Sequence, residues 1–95
     1  MNIIVPTDFS PISLNAAQFA AKMLAGQYES TLVLYHVYSN SKEAADANNK
    51  LQELKTQLLA DGVLKIEIIA EEGDDFIECL DRKVRYMDAV LLVIA

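Results

Sequence analysis

The chain has 95 residues, room for a single domain, with a formal net charge of −6 and an apolar fraction of 53%. That much Leu, Ile, Val and Ala excludes a disordered chain. The acidic balance argues against nucleic-acid binding, which relies on clustered Lys and Arg; the one basic cluster, Arg82, Lys83 and Arg85, is interleaved with Asp81. Cys79 is the only cysteine, so no intrachain disulfide forms. The longest apolar run, 89–95, falls far short of the ~20 residues of a membrane helix. The N-terminus has neither a basic nor a long apolar leader segment, and the expectation is a soluble, cytoplasmic protein without membrane or nucleic-acid partners.

Ile3, Ile4 and Val5 form a short β-branched run halted by Pro6. Residues 11–25 then carry Ile12, Ala16, Phe19, Ala20, Met23 and Leu24 at helical spacing. Ser10 suits the N-cap, Pro11 the first turn and Gly26 a left-handed C-cap. Residues 31–37 are apolar almost throughout and read as the second strand. After a polar loop at 39–42, a helix over about 43–61 aligns Leu51, Leu54 and Leu58 on one stripe and ends at Gly62. In the third strand Leu64, Ile66 and Ile68 alternate with Lys65 and Glu67. Gly73 and Asp74 introduce a helix with Phe76, Ile77, Leu80 and Val84 on one face. Residues 89–94 form the fourth strand.

Strict alternation of strands and helices predicts an α/β fold: a Rossmann-like parallel sheet with helices on both faces. The first, second and fourth strands are apolar on both faces, whereas the third alternates and belongs at an edge. The expected order is 3-2-1-4, with a topological switch point between the first and fourth strands, where such sheets bind ligands beyond their carboxyl ends. The fourth strand then has an apolar outer edge, which invites pairing. The expectation is that the domain continues past residue 95 or that a partner covers that edge.

Pro6-Thr7-Asp8-Phe9-Ser10-Pro11 lies beside this switch point. Asp8 can accept hydrogen bonds from a ligand's amino or hydroxyl group, and the N–H groups of the following helix favour an anion. Asp8 and Ser10 equally suit helix capping, with Pro6 and Pro11 stiffening the turn; the two roles are compatible. His36 reads as a hydrogen-bonded, partly buried side chain, because no Ser or Cys is placed for it to activate. Cys79 reads as a packed thiol. In the acidic run Glu71, Glu72, Asp74 and Asp75, the last two suit the first turn of the third helix. Asp46 with Lys50 and Glu78 with Arg82 have the spacing of surface ion pairs. No Gly-rich dinucleotide or P-loop motif occurs.

Ile3-Ile4-Val5-Pro6-Thr7-Asp8-Phe9-Ser10, followed by Asn15-Ala16-Ala17 and Phe19-Ala20, resembles the opening of a universal stress protein domain. Leu32-Val33-Leu34-Tyr35-His36-Val37 resembles that family's second strand, and Gly73 leading into an amphipathic helix and an apolar strand resembles its third helix and fourth strand. The resemblance implies an adenine nucleotide alpha hydrolase-like fold of order 3-2-1-4-5. Residues 1–95 would form one incomplete domain lacking the last helix and strand. It also implies a homodimer, or pairing with a second like domain. ATP or AMP is the implied ligand, with Mg²⁺ accompanying ATP. Pro6, Thr7 and Asp8 would lie against the adenosine end, and the backbone around Val37 would flank the adenine. The family's phosphate loop, Gly-x2-Gly-x9-Gly-Ser/Thr, follows the fourth strand and is not among these residues; Ala95 stands where nucleotide-binding members commonly have its first Gly. The expected function is a stress-response regulatory module binding an adenine nucleotide, hydrolysing ATP slowly at most. The alternative is a dimerisation or interaction module of the same fold that binds none.

Overall fold

Strand β1 (Asn2–Pro6) lies between two neighbours, and the chain is arranged around it. The computed structural model describes residues 1–27, 29–63 and 65–91. β1 is followed by α1 (Pro11–Leu24), β2 (Thr31–Tyr38), a 3-10 turn (Ser41–Glu43), α2 (Ala44–Ala60), β3 (Ile66–Glu72), α3 (Phe76–Met87) and β4 (Val90–Leu91). All strand pairs are parallel and the sheet order is β3-β2-β1-β4, as the alternation of patterns predicts. The expected fourth strand is seen at Val90 and Leu91, which pair with Ile3 and Ile4; positions 92–95, and Leu64 of the expected third strand, lie outside the described residues. No described helix is long and apolar enough to cross a membrane.

Alternate side chains of each strand point to opposite faces, and this divides the core in two. On one face Val5, Leu32, Leu34 and Ile66 pack against Ala17, Ala20, Ala21 and Leu24 of α1 and Leu51, Leu54 and Leu58 of α2. On the other, Ile4, Val33 and Tyr35 pack against Cys79 and Leu80 of α3. β3 pairs only with β2 among the described residues, and its Glu67 is exposed, as an edge strand requires.

Two helices sit on the sheet differently from expectation. α1 buries Ala16, Ala17, Ala20, Ala21 and Leu24, leaving Ile12, Phe19 and Met23 at least half exposed. Small alanine side chains let the helix approach the sheet closely; the three larger residues sit about a third of a turn away on its flank. In α3 the buried residues are Cys79 and Leu80, with Val84 and Met87 partly covered. Ile77 lies on the exposed flank, and Phe76, in the first turn, is 43% exposed. Both α1 and α2 are followed by a glycine at positive φ, Gly26 at 78° and Gly62 at 104°, the left-handed termination that glycine allows.

A polar chain crosses the α3 side of the core. The Tyr35 hydroxyl donates to Glu71 Oε1 at 2.9 Å, and Glu71 Oε2 meets Lys83 Nζ at 3.0 Å. Burial pushes the Tyr35 hydroxyl pKa up, and the bond to Glu71 reinforces the shift. Burial also raises Glu71, but hydrogen bonds from Lys83 and Tyr35 outweigh it and the net shift is downward. Glu71 therefore belongs to this partly buried chain and not to a solvated helix start, whereas Asp75 does cap α3, accepting from the Glu78 N–H at 3.1 Å. Asp46–Lys50 forms the expected ion pair at 3.2 Å. Glu78 is not Arg82's partner: among the described contacts Arg82 reaches the Cys79 sulfur at 3.9 Å, and Asp81 pairs with Arg85 at 3.3 Å.

Gly73 joins β3 to α3 where there is no space for a side chain, because a Cβ there would overlap Cys79 Sγ. Gly73→Ala is expected to destabilise the domain by about 1–3 kcal/mol through overpacking. In a Cys79→Ala background most of that loss disappears. Urea denaturation of the four-member cycle measures the coupling; an equal loss in both backgrounds contradicts the packing account.

Candidate functional site

The corner between β1 and α1 is built by short polar side chains. Pro6, the last residue of β1, lies opposite Tyr35, and Thr7 N–H extends the ladder one step further to the Tyr35 carbonyl at 2.8 Å. Thr7 is buried, so its remaining polar groups need partners. Its carbonyl lies 2.8 Å from His36 Nδ1. A carbonyl only accepts, so Nδ1 carries the proton, and in the neutral ring Nε2 is left as an acceptor. Its hydroxyl accepts from Phe9 N–H at 3.1 Å and lies 3.1 Å from Ser13 Oγ.

Those bonds hold Phe9 at φ 65°, a left-handed conformation that costs a bulky residue roughly 1–3 kcal/mol. Its ring lies 4.7 Å from that of His36 between centroids, and Lys50 Nζ sits 5.4 Å from the Phe9 centroid. The bend throws Asp8 outward. Asp8 Oδ1 accepts from the Ser10 N–H and the Ser13 hydroxyl, both at 2.9 Å. The one Ser13 proton is directed to acceptor-only oxygens, Asp8 Oδ1 and the Ser10 carbonyl at 3.1 Å, so Thr7 is the donor in the Thr7–Ser13 contact. The N-cap itself is Ser10, whose hydroxyl accepts from Ser13 N–H at 3.2 Å. Asp8 thus braces the cap instead of forming it. Hydrogen bonding by Ser10, through side chain and backbone, and then by Ser13 lowers the exposed Asp8 carboxyl to about 2. It is an anion at any physiological pH.

Above this corner opens a cleft of about 520 Å³, within the ~300–1,000 Å³ usual for small-molecule sites. Pro6, Thr7, Asp8 and Val37, the four residues singled out from the sequence, all line it. Ser10, Ser13 and His36 add polar groups; Ile12, Ala16 and Phe76 add apolar ones. His36 is hydrogen-bonded and partly buried, and Cys79 is a packed, buried thiol away from this cleft; both agree with their reading from sequence. Ser13, Ile12 and Phe76 were not legible as site residues. Ser13 follows Ser10 by three positions, the spacing that brings a first-turn side chain back onto its cap. For Phe76 the available signal was a large apolar residue directly after an N-cap.

A second cleft of about 500 Å³ lies between the end of β3 and α3, lined by Glu72, Asp74, Asp75, Arg82 and Tyr86 among others. Its charged side chains are solvated or already paired, as in Lys83–Glu71, and it draws no residue from β1 or α1. The first cleft is the better candidate because it combines apolar walls with convergent, fixed polar groups. Among the described residues no three His, Cys, Asp or Glu side chains gather as a metal site.

The family model for the universal stress protein family matches residues 1–95. Among solved structures, protein Rv1636 from Mycobacterium tuberculosis H37Rv superposes with a TM-score of 0.81 at 22% identity, covering 99% of this chain and 69% of that one. A universal stress protein solved in complex with cAMP superposes at 0.78 with 24% identity, covering 94% of this chain and 67% of its own. A universal stress protein family member from Burkholderia pseudomallei gives 0.74 at 20% identity, with 97% and 80% covered. At these identities the superpositions speak to the fold alone. No curated protein sequence matches the chain.

Removing the cap by Ser10→Ala is expected to cost about 0.5–2 kcal/mol. Asp8→Asn is expected to cost stability in a pH-dependent way. The folded-state pKa of about 2 lies below the ordinary 3.8, so the carboxylate's contribution is complete above pH ~4 and fades as pH falls towards 2. Denaturation curves of wild type and Asp8→Asn should converge over that range. A gap independent of pH contradicts the bracing role.

Proposed function

The chain belongs to the universal stress protein family, and from that footing we propose that it is a cytoplasmic stress-response module that binds an adenine nucleotide, ATP or AMP, in the cleft above the β1–α1 corner. The single observation that carries this reading is the convergence of Pro6, Thr7, Asp8 and Val37 on one cleft of suitable volume. The cAMP complex of a structurally similar relative supports an adenine ligand. Asp8 is the anchor in this reading: a fixed anion accepts hydrogen bonds from ligand N–H or O–H groups without first being oriented. It is suited to the sugar or base and repels phosphate, which places the phosphates on the side of the cleft away from its carboxylate. Pro6 and Val37 supply apolar contact and Val37 adds main-chain polar groups at the strand end. The ligand acts by stabilising whichever state it prefers, so its effect is regulatory; ATP turnover, if any, is slow.

A second reading is favoured by one observation. Ile12, Phe19 and Met23 form an exposed apolar stripe along α1, and Val90 and Leu91 are exposed on β4. Such surface marks interaction sites, and on this reading the domain dimerises or pairs with a second like domain and binds no nucleotide.

Calorimetric titration with ATP and AMP separates the two. The first reading expects saturable heat, a raised melting temperature, and an affinity about tenfold or more weaker in Asp8→Ala, which removes a charged acceptor. Absence of heat and of any melting shift at millimolar nucleotide, together with concentration-dependent self-association, overturns it in favour of the second.

A further inference from the structure

Phe76 stands apart from the rest of α3. It is aligned with Leu80 one turn on, yet Leu80 is buried and Phe76 is 43% exposed, because it belongs to the first turn and overhangs the cleft. Opposite it, from the other face of the sheet, α1 contributes Ile12, which is 66% exposed. Pro6 and Val37 line the cleft at the ends of the two central strands. Apolar walls thus come from helices on opposite faces of the sheet, and the polar groups of Asp8, Ser13 and His36 come from the corner beneath.

A ligand must satisfy both parts. A sugar phosphate leaves the phenyl ring and the aliphatic groups wet, so the apolar walls contribute nothing to its affinity. A purely apolar ligand covers the Asp8 carboxylate without pairing it, which is costly. A flat heteroaromatic ring with a polar edge meets both demands, and the phenyl ring lining the cleft offers it a stacking partner. We propose that Phe76 is a specificity-determining residue that stacks on the base of the ligand, so that this site takes nucleobase-bearing ligands in preference to sugar phosphates. The inference rests on the adenine-nucleotide reading above and adds to it a residue from α3 and a basis for selection. It also makes the bound base a bridge between α1 and α3.

The test is calorimetric titration of AMP and of ribose 5-phosphate into wild type, Phe76→Ala, Phe76→Leu and Phe76→Tyr, with the melting temperature of each unliganded protein. Phe76→Ala should weaken AMP about fivefold to a hundredfold, the usual effect of losing a stacked aromatic. Its preference for AMP over ribose 5-phosphate should fall by the same factor, and Phe76→Tyr should restore it. Because the ring is half exposed, the unliganded melting temperature should stay unchanged. If Phe76→Ala melts lower, Phe76→Leu, which keeps apolar bulk, decides: AMP binding at wild-type strength in the Leu variant overturns the proposal. Undiminished AMP affinity in Phe76→Ala overturns it too, as does a parallel loss of AMP and ribose 5-phosphate. A wild-type protein that binds no AMP sinks the nucleotide reading and this inference together, a result seen before any variant is made.

Discussion

Thr7 spends every polar group it has on holding the corner together. Its N–H donates to the Tyr35 carbonyl, its carbonyl accepts from His36 Nδ1–H, and its hydroxyl joins Phe9 N–H to Ser13. These bonds tie β1 to β2 and to the first turn of α1. They also hold Phe9 in a conformation that costs free energy on its own. A buried threonine with any of these partners missing would carry an unsatisfied group, so the corner is held as a unit. The outward position of Asp8 is a consequence of that unit.

The sheet supplies the second element of the site. Because β1 lies between β2 and β4, its carboxyl end opens where helices from both faces are within reach. α1 begins on one side of that opening and α3 on the other, so a single cleft is lined by Ile12 and Phe76 although their helices never share a face. A ligand seated there touches the strand ends, the cap of α1 and the first turn of α3 together. Binding energy released at this one place therefore favours whichever conformation keeps all three together.

Much of this was legible in the sequence, for identifiable reasons. The doubly apolar first and second strands and the alternating third set the strand order, because burial on both faces leaves no room for charge. Ser10, Pro11 and Gly26 marked the ends of α1 through local chemistry that does not depend on the rest of the fold. Of the apolar positions expected on α1, Ala16, Ala20 and Leu24 are buried and Ile12, Phe19 and Met23 are not, because large residues weigh more in a hydrophobic pattern than alanine does, whereas close approach to a sheet favours alanine. Periodicity puts Phe76 and Ile77 on the core side of α3, yet both are exposed, because periodicity does not say where a helix overruns the sheet. Glu71 looked like part of an acidic surface run; its link to Tyr35 and Lys83 joins residues 36 and 12 positions away, which no local pattern encodes. Of the residues lining the cleft, Pro6, Thr7, Asp8 and Val37 are legible from the strand ends and the family resemblance. The serine bracing of Asp8 and the aromatic wall could not.

Two clefts of similar volume lie at the same end of this sheet, one over the β1–α1 corner and one between β3 and α3. Backbone amide NMR during an AMP titration distinguishes them directly. The account predicts shifts centred on Thr7, Asp8, Phe9, Ser10, Ser13, Val37 and Phe76, with Glu72, Asp74, Arg82 and Tyr86 little changed. Shifts centred on the β3–α3 cleft, with the Thr7 corner unmoved, contradict it.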